Sequence, residues 1–142
     1  FNRLYFRKAN LQFKKKKHTK KEKDIMITIK EQSRDFSVVE QYLMTLDNNI
    51  TSMKDVEDGK SIQVDGYILF EDEKDNGDVA EILSIITPDK EVFSCQSVTF
   101  KRSVKDIYGI MNGAPFAVLK SSGVTKSGRD FINCALDVNS VK

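Results

Sequence analysis

Histidine is almost absent from this sequence. The one copy, His18, sits in a lysine-rich stretch, and nothing from Met26 onward carries an imidazole. That removes the usual general base, and any Ser-His or Cys-His nucleophilic pair, from the body of the chain. Cysteine is nearly as scarce: Cys95 and Cys134 lie far apart, each in an apolar stretch, with no Cys-x-x-Cys spacing. They read as small core residues in a reducing cytoplasm, and the ligand supply is too small for a structural zinc site. No apolar run approaches the ~18 residues of a membrane span, and no short apolar stretch opens the chain as a secretory signal would. A Walker-type glycine loop is missing as well. These absences argue against an enzyme, a cofactor, a small-molecule substrate and a membrane partner.

Charge is present in quantity but is unevenly placed. The formal net charge of +2 combines two opposite regions. Residues 1–25 hold ten Lys or Arg against Glu22 and Asp24, whereas the rest holds thirteen basic against nineteen acidic residues, a balance of −6. Reading the whole chain as a basic protein would therefore mislead. The run from Lys14 to Lys23 is expected to be a disordered, solvated tail. The codons for Lys21 and Glu22 can also spell a purine-rich ribosome-binding sequence a few codons before Met26. The expectation is that translation starts at Met26.

The organisation read from the pattern has three parts: the tail (1–25), an N-terminal helical segment (26–50) and a domain (51–142). Phe36, Val39, Leu43 and Leu46 recur at helical spacing, and Ser37 with Glu40 has capping-box form. This predicts a helix from about Asp35 to Leu46, short enough either to pack on the domain or to serve as a small subunit contact. From Ser61 the chain alternates as strands: SIQVDGYILF, with Ile62, Val64, Ile68 and Phe70 expected on one face and Tyr67 and Leu69 on the other. Asn76-Gly77 marks a hairpin, followed by strands VAEILSIIT and EVFSCQSV. A helix carrying Val104, Ile107, Tyr108 and Met111 is expected to start at Ser103, or a turn earlier at Thr99, and to end at Asn112-Gly113. FAVLKSSGV and RDFINCALDV close the chain as two strands. The order predicts a mainly β fold: a five-stranded OB-like barrel with a helix between strands three and four, plus a short N-terminal helix.

Binding is better supported than catalysis. The carboxylates Glu71, Asp72, Glu73, Asp75 and Asp78 crowd into one loop and read as a solvated turn. Ile132, Cys134 and Leu136 alternate as core on the last strand, which sends Phe131 outward. Tyr67 and Phe93 are the other candidates for exposed aromatics, and such rings stack unpaired bases for roughly 1–3 kcal/mol each. Lys120, Lys126 and Arg129 in or beside the last hairpin, with Lys101, Arg102 and Lys105 near the helix start, are candidate phosphate contacts.

The closing stretch SSGVTKSGRDFINCALDV resembles the end of single-stranded DNA-binding proteins of tailed phages, through Gly123, Thr125, Lys126, Ser127, Gly128, Phe131 and Leu136. MKDVEDGKSIQV, with Val56, Asp58-Gly59, Ile62 and Val64, resembles the entry to that family's first strand. The nearest kinds are those of small protein-primed phages of Gram-positive bacteria, and the likeness runs from about Ser52 to Val138. It implies an OB-like domain in a bacterial host cytoplasm, coating displaced single strands during phage replication or recombination without sequence preference. It also favours Tyr67, Lys126, Arg129 and Phe131 among the residues already selected. Bacterial relatives end in an acidic tip that recruits partners; here the sequence reads DVNSVK, so that route is not implied. The alternative is a protein-interaction module of OB-like or α+β form.

Overall fold

The computed structural model describes residues 26–141; the expectations for the basic segment 1–25 lie outside them. Two α-helices and eight strands in two sheets make the described residues mainly β. The elements in chain order are β1 (Met26–Gln32), α1 (Val38–Thr45), β2 (Thr51–Ser52), β3 (Ser61–Val64), β4 (Gly66–Glu73), β5 (Val79–Ile86), β6 (Val92–Cys95), α2 (Val98–Met111), β7 (Phe116–Val124) and β8 (Asp130–Leu136). A large sheet has the order β1-β4-β5-β6-β2, and a small sheet the order β3-β7-β8.

The β4–β5 hairpin forms where Asn76-Gly77 predicts it. Gly77 takes φ +89°, a conformation that a side chain would strain, while the Asn76 side-chain Oδ1 accepts from the Asp78 N–H at 3.0 Å. The ladder then runs in register from Glu73↔Val79 to Gly66↔Ile86. Helix α2 starts earlier than the sequence predicts, because the Ser97 hydroxyl caps it by accepting from the Phe100 N–H at 3.3 Å. It ends as expected at Asn112, in the left-handed conformation at φ 48°.

β3 and β4 are nearly one ribbon, and the break between them has consequences. Ile62 and Val64 share a core with Tyr67 and Leu69, not with Ile68 and Phe70. Asp65 and Gly66 insert a one-residue change of phase, and every side chain beyond them exchanges faces. The bend lets one ribbon pair with β7 at its start and with β5 at its end, so both sheets share it.

The large sheet is buried on both faces. Its inner face packs Leu69, Leu83, Ile85 and Phe93 against Val118 and Cys134 of the small sheet and Phe100 and Val104 of α2. Its outer face carries Ile27, Ile29, Ile68, Phe70, Ile86 and Val92, which pack with Phe36 and with Met44 of α1. This second core corrects the reading of residues 26–50 as helical. Met26–Gln32 is a strand, antiparallel to β4, and its alternating Ile27 and Ile29 were the available signal.

The capping box at α1 is present: the Ser37 hydroxyl accepts from the Glu40 N–H at 3.1 Å, and the Glu40 carboxylate accepts from the Ser37 N–H at 3.0 Å. The buried side differs from the expected one. Gln41 and Met44 face the sheet with Phe36, whereas Val39 and Leu46 are exposed. Docking fixes this rotation, since the Met44 carbonyl accepts from the buried Ser84 hydroxyl at 2.6 Å.

Among the described residues the barrel is not closed, because β6 and β8 share no ladder. Helix α2 leaves β6 and meets β8 instead. Ser97 donates to the Ile132 backbone carbonyl at 2.9 Å, and Ser103 donates to the Asn133 side-chain Oδ1 at 2.6 Å. No described helix is long and apolar enough to cross a membrane.

Candidate nucleic-acid interface

The β7–β8 hairpin carries three of the candidate residues that remain accessible, Lys126, Arg129 and Phe131; another, Arg102, is on α2. Its turn is tightly built: the Thr125 N–H donates to the Arg129 carbonyl at 2.8 Å, and the Thr125 hydroxyl accepts from the Arg129 N–H at 3.1 Å. Gly128 supplies the left-handed position at φ +87° and donates to the Thr125 carbonyl at 2.9 Å. On this frame Lys126 and Arg129 are exposed, and among the described residues neither makes an ion pair. That separates them from Lys30, Arg34, Lys90, Lys101, Lys105 and Lys120, each held by a carboxylate.

Phe131 follows on β8 and is half-buried on the face away from the inner core, as the alternation predicts. It lies opposite Gly123 in the β7 register. A Cβ on Gly123 would come 2.7 Å from the end of the Phe131 ring, so the ring reaches across to β7 and uses the space a side chain would fill. Ser121 and Asn133, the next pair on that face, are uncharged. The hairpin therefore offers an aromatic on a neutral strip, with two free cations at its tip.

The other candidates are placed differently. Tyr67 is 8% exposed and belongs to the inner core, with its ring edge-on to Tyr108 at 5.3 Å between centroids. The phase change at Asp65–Gly66 turned it inward, so it is not a stacking platform. Phe93 is likewise core, packed on the inner face of β6. Lys120 is 5% exposed: the alternation that buries Phe116 and Val118 also points it inward. Its ammonium donates to the Val56 carbonyl at 2.7 Å and pairs with Asp58 at 3.0 Å, tying the segment after β2 to β7. Lys120 is a structural cation.

Lys101 is also buried, at 8% exposure, and its ammonium donates to both the Glu81 carboxylate at 2.9 Å and the Glu81 carbonyl at 3.2 Å. Lys105 pairs with Glu31 at 2.9 Å, and only Arg102 of this group is unpaired. The three line a cleft of about 260 Å³ with Leu69, Val98, Glu81 and Asp106. Its cations have nearby carboxylates for company, and Lys30 above all, with Lys101, holds the Glu81 carboxyl down to about 2. A phosphate entering here would displace existing partners.

No described residues form a metal-ligand cluster. Burial pushes the Cys95 and Cys134 thiols up to about 12, so at neutral pH neither is a nucleophile. What sequence reasoning missed is the seat for Phe131 at Gly123 and the clamp at Thr125. Both stood in the resemblance motif without a physical role; a count of ladder positions back from the turn would have paired Gly123 with Phe131. No protein-family model, curated protein or solved structure matches this chain.

Proposed function

We propose that this chain binds single-stranded DNA without sequence specificity, through the β7–β8 hairpin. One observation carries the reading: Lys126 and Arg129, which make no ion pair among the described residues, stand beside the partly exposed Phe131 on a strand face whose next pair, Ser121 and Asn133, is uncharged. Unpaired bases stack on an aromatic, and phosphates recruit free cations, so such a strip fits a flexible single strand better than a duplex.

The strand order supports an OB-like relationship. A meander of β4, β5 and β6, a helix, and the hairpin β7–β8 with β3 beside β7 follow the plan of a Greek-key barrel that is partly open. On this reading β1 is an added edge strand of the large sheet and α1 an addition that covers its outer face. The phage-type resemblance of the closing stretch supplies the biological setting: coating of displaced strands during replication or recombination in a bacterial cytoplasm. Site residues in the proposal are Lys126, Arg129 and Phe131, with Arg102 as an outlying phosphate contact.

Fluorescence anisotropy of labelled oligo-dT over a salt series, with duplex as competitor, is the test. Binding at low salt and preference for the single strand are expected. No binding, or an equal preference for duplex, would end this reading and favour a protein-interaction module, which the acidic balance of the body also suits.

A further inference from the structure

Among the described residues, helix α1 buries one side on the large sheet and leaves the other uncovered. Val38, Val39, Tyr42 and Leu46 are 63%, 66%, 50% and 38% exposed. Positions 38, 42 and 46 repeat four apart and 39 stands three before 42, so these side chains form one stripe. The only charged residue of α1 is Glu40. Its carboxylate is taken by Lys90 at 2.7 Å and Arg34 at 3.4 Å.

We propose that this stripe is the contact face between two copies of the chain. Charge selects that occupant. The body carries −6 from residue 26 onward, so two copies repel unless they meet through a neutral surface, and the stripe is neutral. A basic partner would find no free carboxylate on α1 to pair with. An apolar patch without charge is also complementary to itself, as a two-fold contact requires, with the same residues on both sides. Tyr42 near its centre is a residue type enriched at interfaces.

Area sets the strength. Four side chains make a patch on the order of a few hundred Å², well below the ~800 Å² per partner of a stable interface. Association is therefore weak and reversible, with a dissociation constant nearer to ~1 mM than to ~1 nM. The pairing stands independently of the nucleic-acid proposal. Because α1 covers the outer face of the large sheet and the small sheet packs on the inner face, both β7–β8 hairpins stay free in the pair. Two copies on one long strand then bind it with an avidity that neither has alone.

Sedimentation equilibrium of the full chain, without DNA, from micromolar to near-millimolar concentration tests this. The weight-average mass is expected to rise toward twice the monomer. Tyr42→Glu and Val39→Glu, both at exposed positions, should each weaken association at least about tenfold while leaving the thermal melt unchanged. A second arm compares labelled oligo-dT of one and of several site lengths. Both variants should match the parent on the short strand and lose its advantage on the long one. A parent that stays monomeric throughout overturns the proposal, as does a dimer that both variants leave intact. Failure of oligo-dT binding with mass growth intact would remove the DNA reading and leave the contact face standing.

Discussion

Two glycines in this fold lie under aromatic rings, and substituting them should give opposite results. A Cβ on Gly66 would meet the Phe36 ring at 2.6 Å, and Phe36 is buried at 5% exposure beneath the Arg34 guanidinium, 4.2 Å from its centroid. That ring has nowhere to move, so Gly66→Ala should destabilise the protein by about 1–3 kcal/mol, read as a lowered melting temperature. On Gly123 the Cβ would meet Phe131 at 2.7 Å, but this ring is partly exposed and can swing off the strand. Gly123→Ala should leave the melt within about 1 kcal/mol and change oligo-dT affinity by moving the platform. Phe131→Ala should weaken that affinity by the stacking contribution, about five- to a hundredfold, with the fold retained. Equal affinity for all three proteins would remove Phe131 from the interface. At this scale the sequence was readable where alternation ran unbroken, as along β8, which put Phe131 on the correct face. It misled at Tyr67, because Gly66 signals an interruption and a bend in the strand but not which face the residues after it take. It misled at Lys120 because a lysine suggests solvent, even though its place two residues after Val118 pointed inward.

Local signals also identified the start of α1, while its rotation depended on distant partners. Ser37 and Glu40 stand three apart and satisfy each other's backbone groups, which short-range sequence can encode. Which side of the helix is buried is decided by Ser84, forty residues away, reaching the Met44 carbonyl. Strand β1 was missed for a similar reason: seven residues of modest apolarity become a strand when the β4 edge is there to pair with. Ser37→Ala should cost about 1 kcal/mol. Glu40 adds a pH dependence. Lys90, then the Ser37 N–H, hold its carboxyl down to about 2 from the ordinary 4.5. A depressed carboxyl stabilises the fold above its unfolded value and loses that contribution as pH falls through the folded one. Its share of stability is thus complete at neutral pH and declines between about pH 4.5 and 2. Glu81, also held near 2, titrates over the same window. Glu40→Gln should melt lower than the parent at pH 7, and the gap should narrow steadily below pH 4.5. A gap that is constant with pH would show that Glu40 contributes packing alone.

Across the whole molecule, the cations that stay free matter more than the total charge. The order of the five expected strands, with a helix before the last two, was legible because hairpins are local, whereas the short β2 and the edge strand β1 were not. The open edge between β6 and β8 was not legible either, since it reflects Ser97 and Ser103 bonding to β8 across thirty or more residues of sequence. The same long-range pairing hid the fate of the lysines. Six of the described basic side chains are neutralised in place, and a sequence count cannot tell them from Lys126 and Arg129. This makes the salt dependence of binding diagnostic. For single strands the slope of log affinity against log salt is about −0.7 for each phosphate neutralised. Contacts from Lys126 and Arg129, with Arg102 as a third, therefore correspond to a slope of about −1.4 to −2.1 for a chain beginning at Met26. Were Lys101 and Lys105 recruited from Glu81 and Glu31, the slope would steepen toward about −3.5. Lys126→Gln with Arg129→Gln should flatten it by about 1.4 and weaken binding most at low salt. The chain with residues 1–25 retained has ten further cations in sequence, so a steeper slope in that form alone would assign the difference to the tail. An unaltered slope after both hairpin substitutions would move the phosphate path away from β7–β8, and the interface with it.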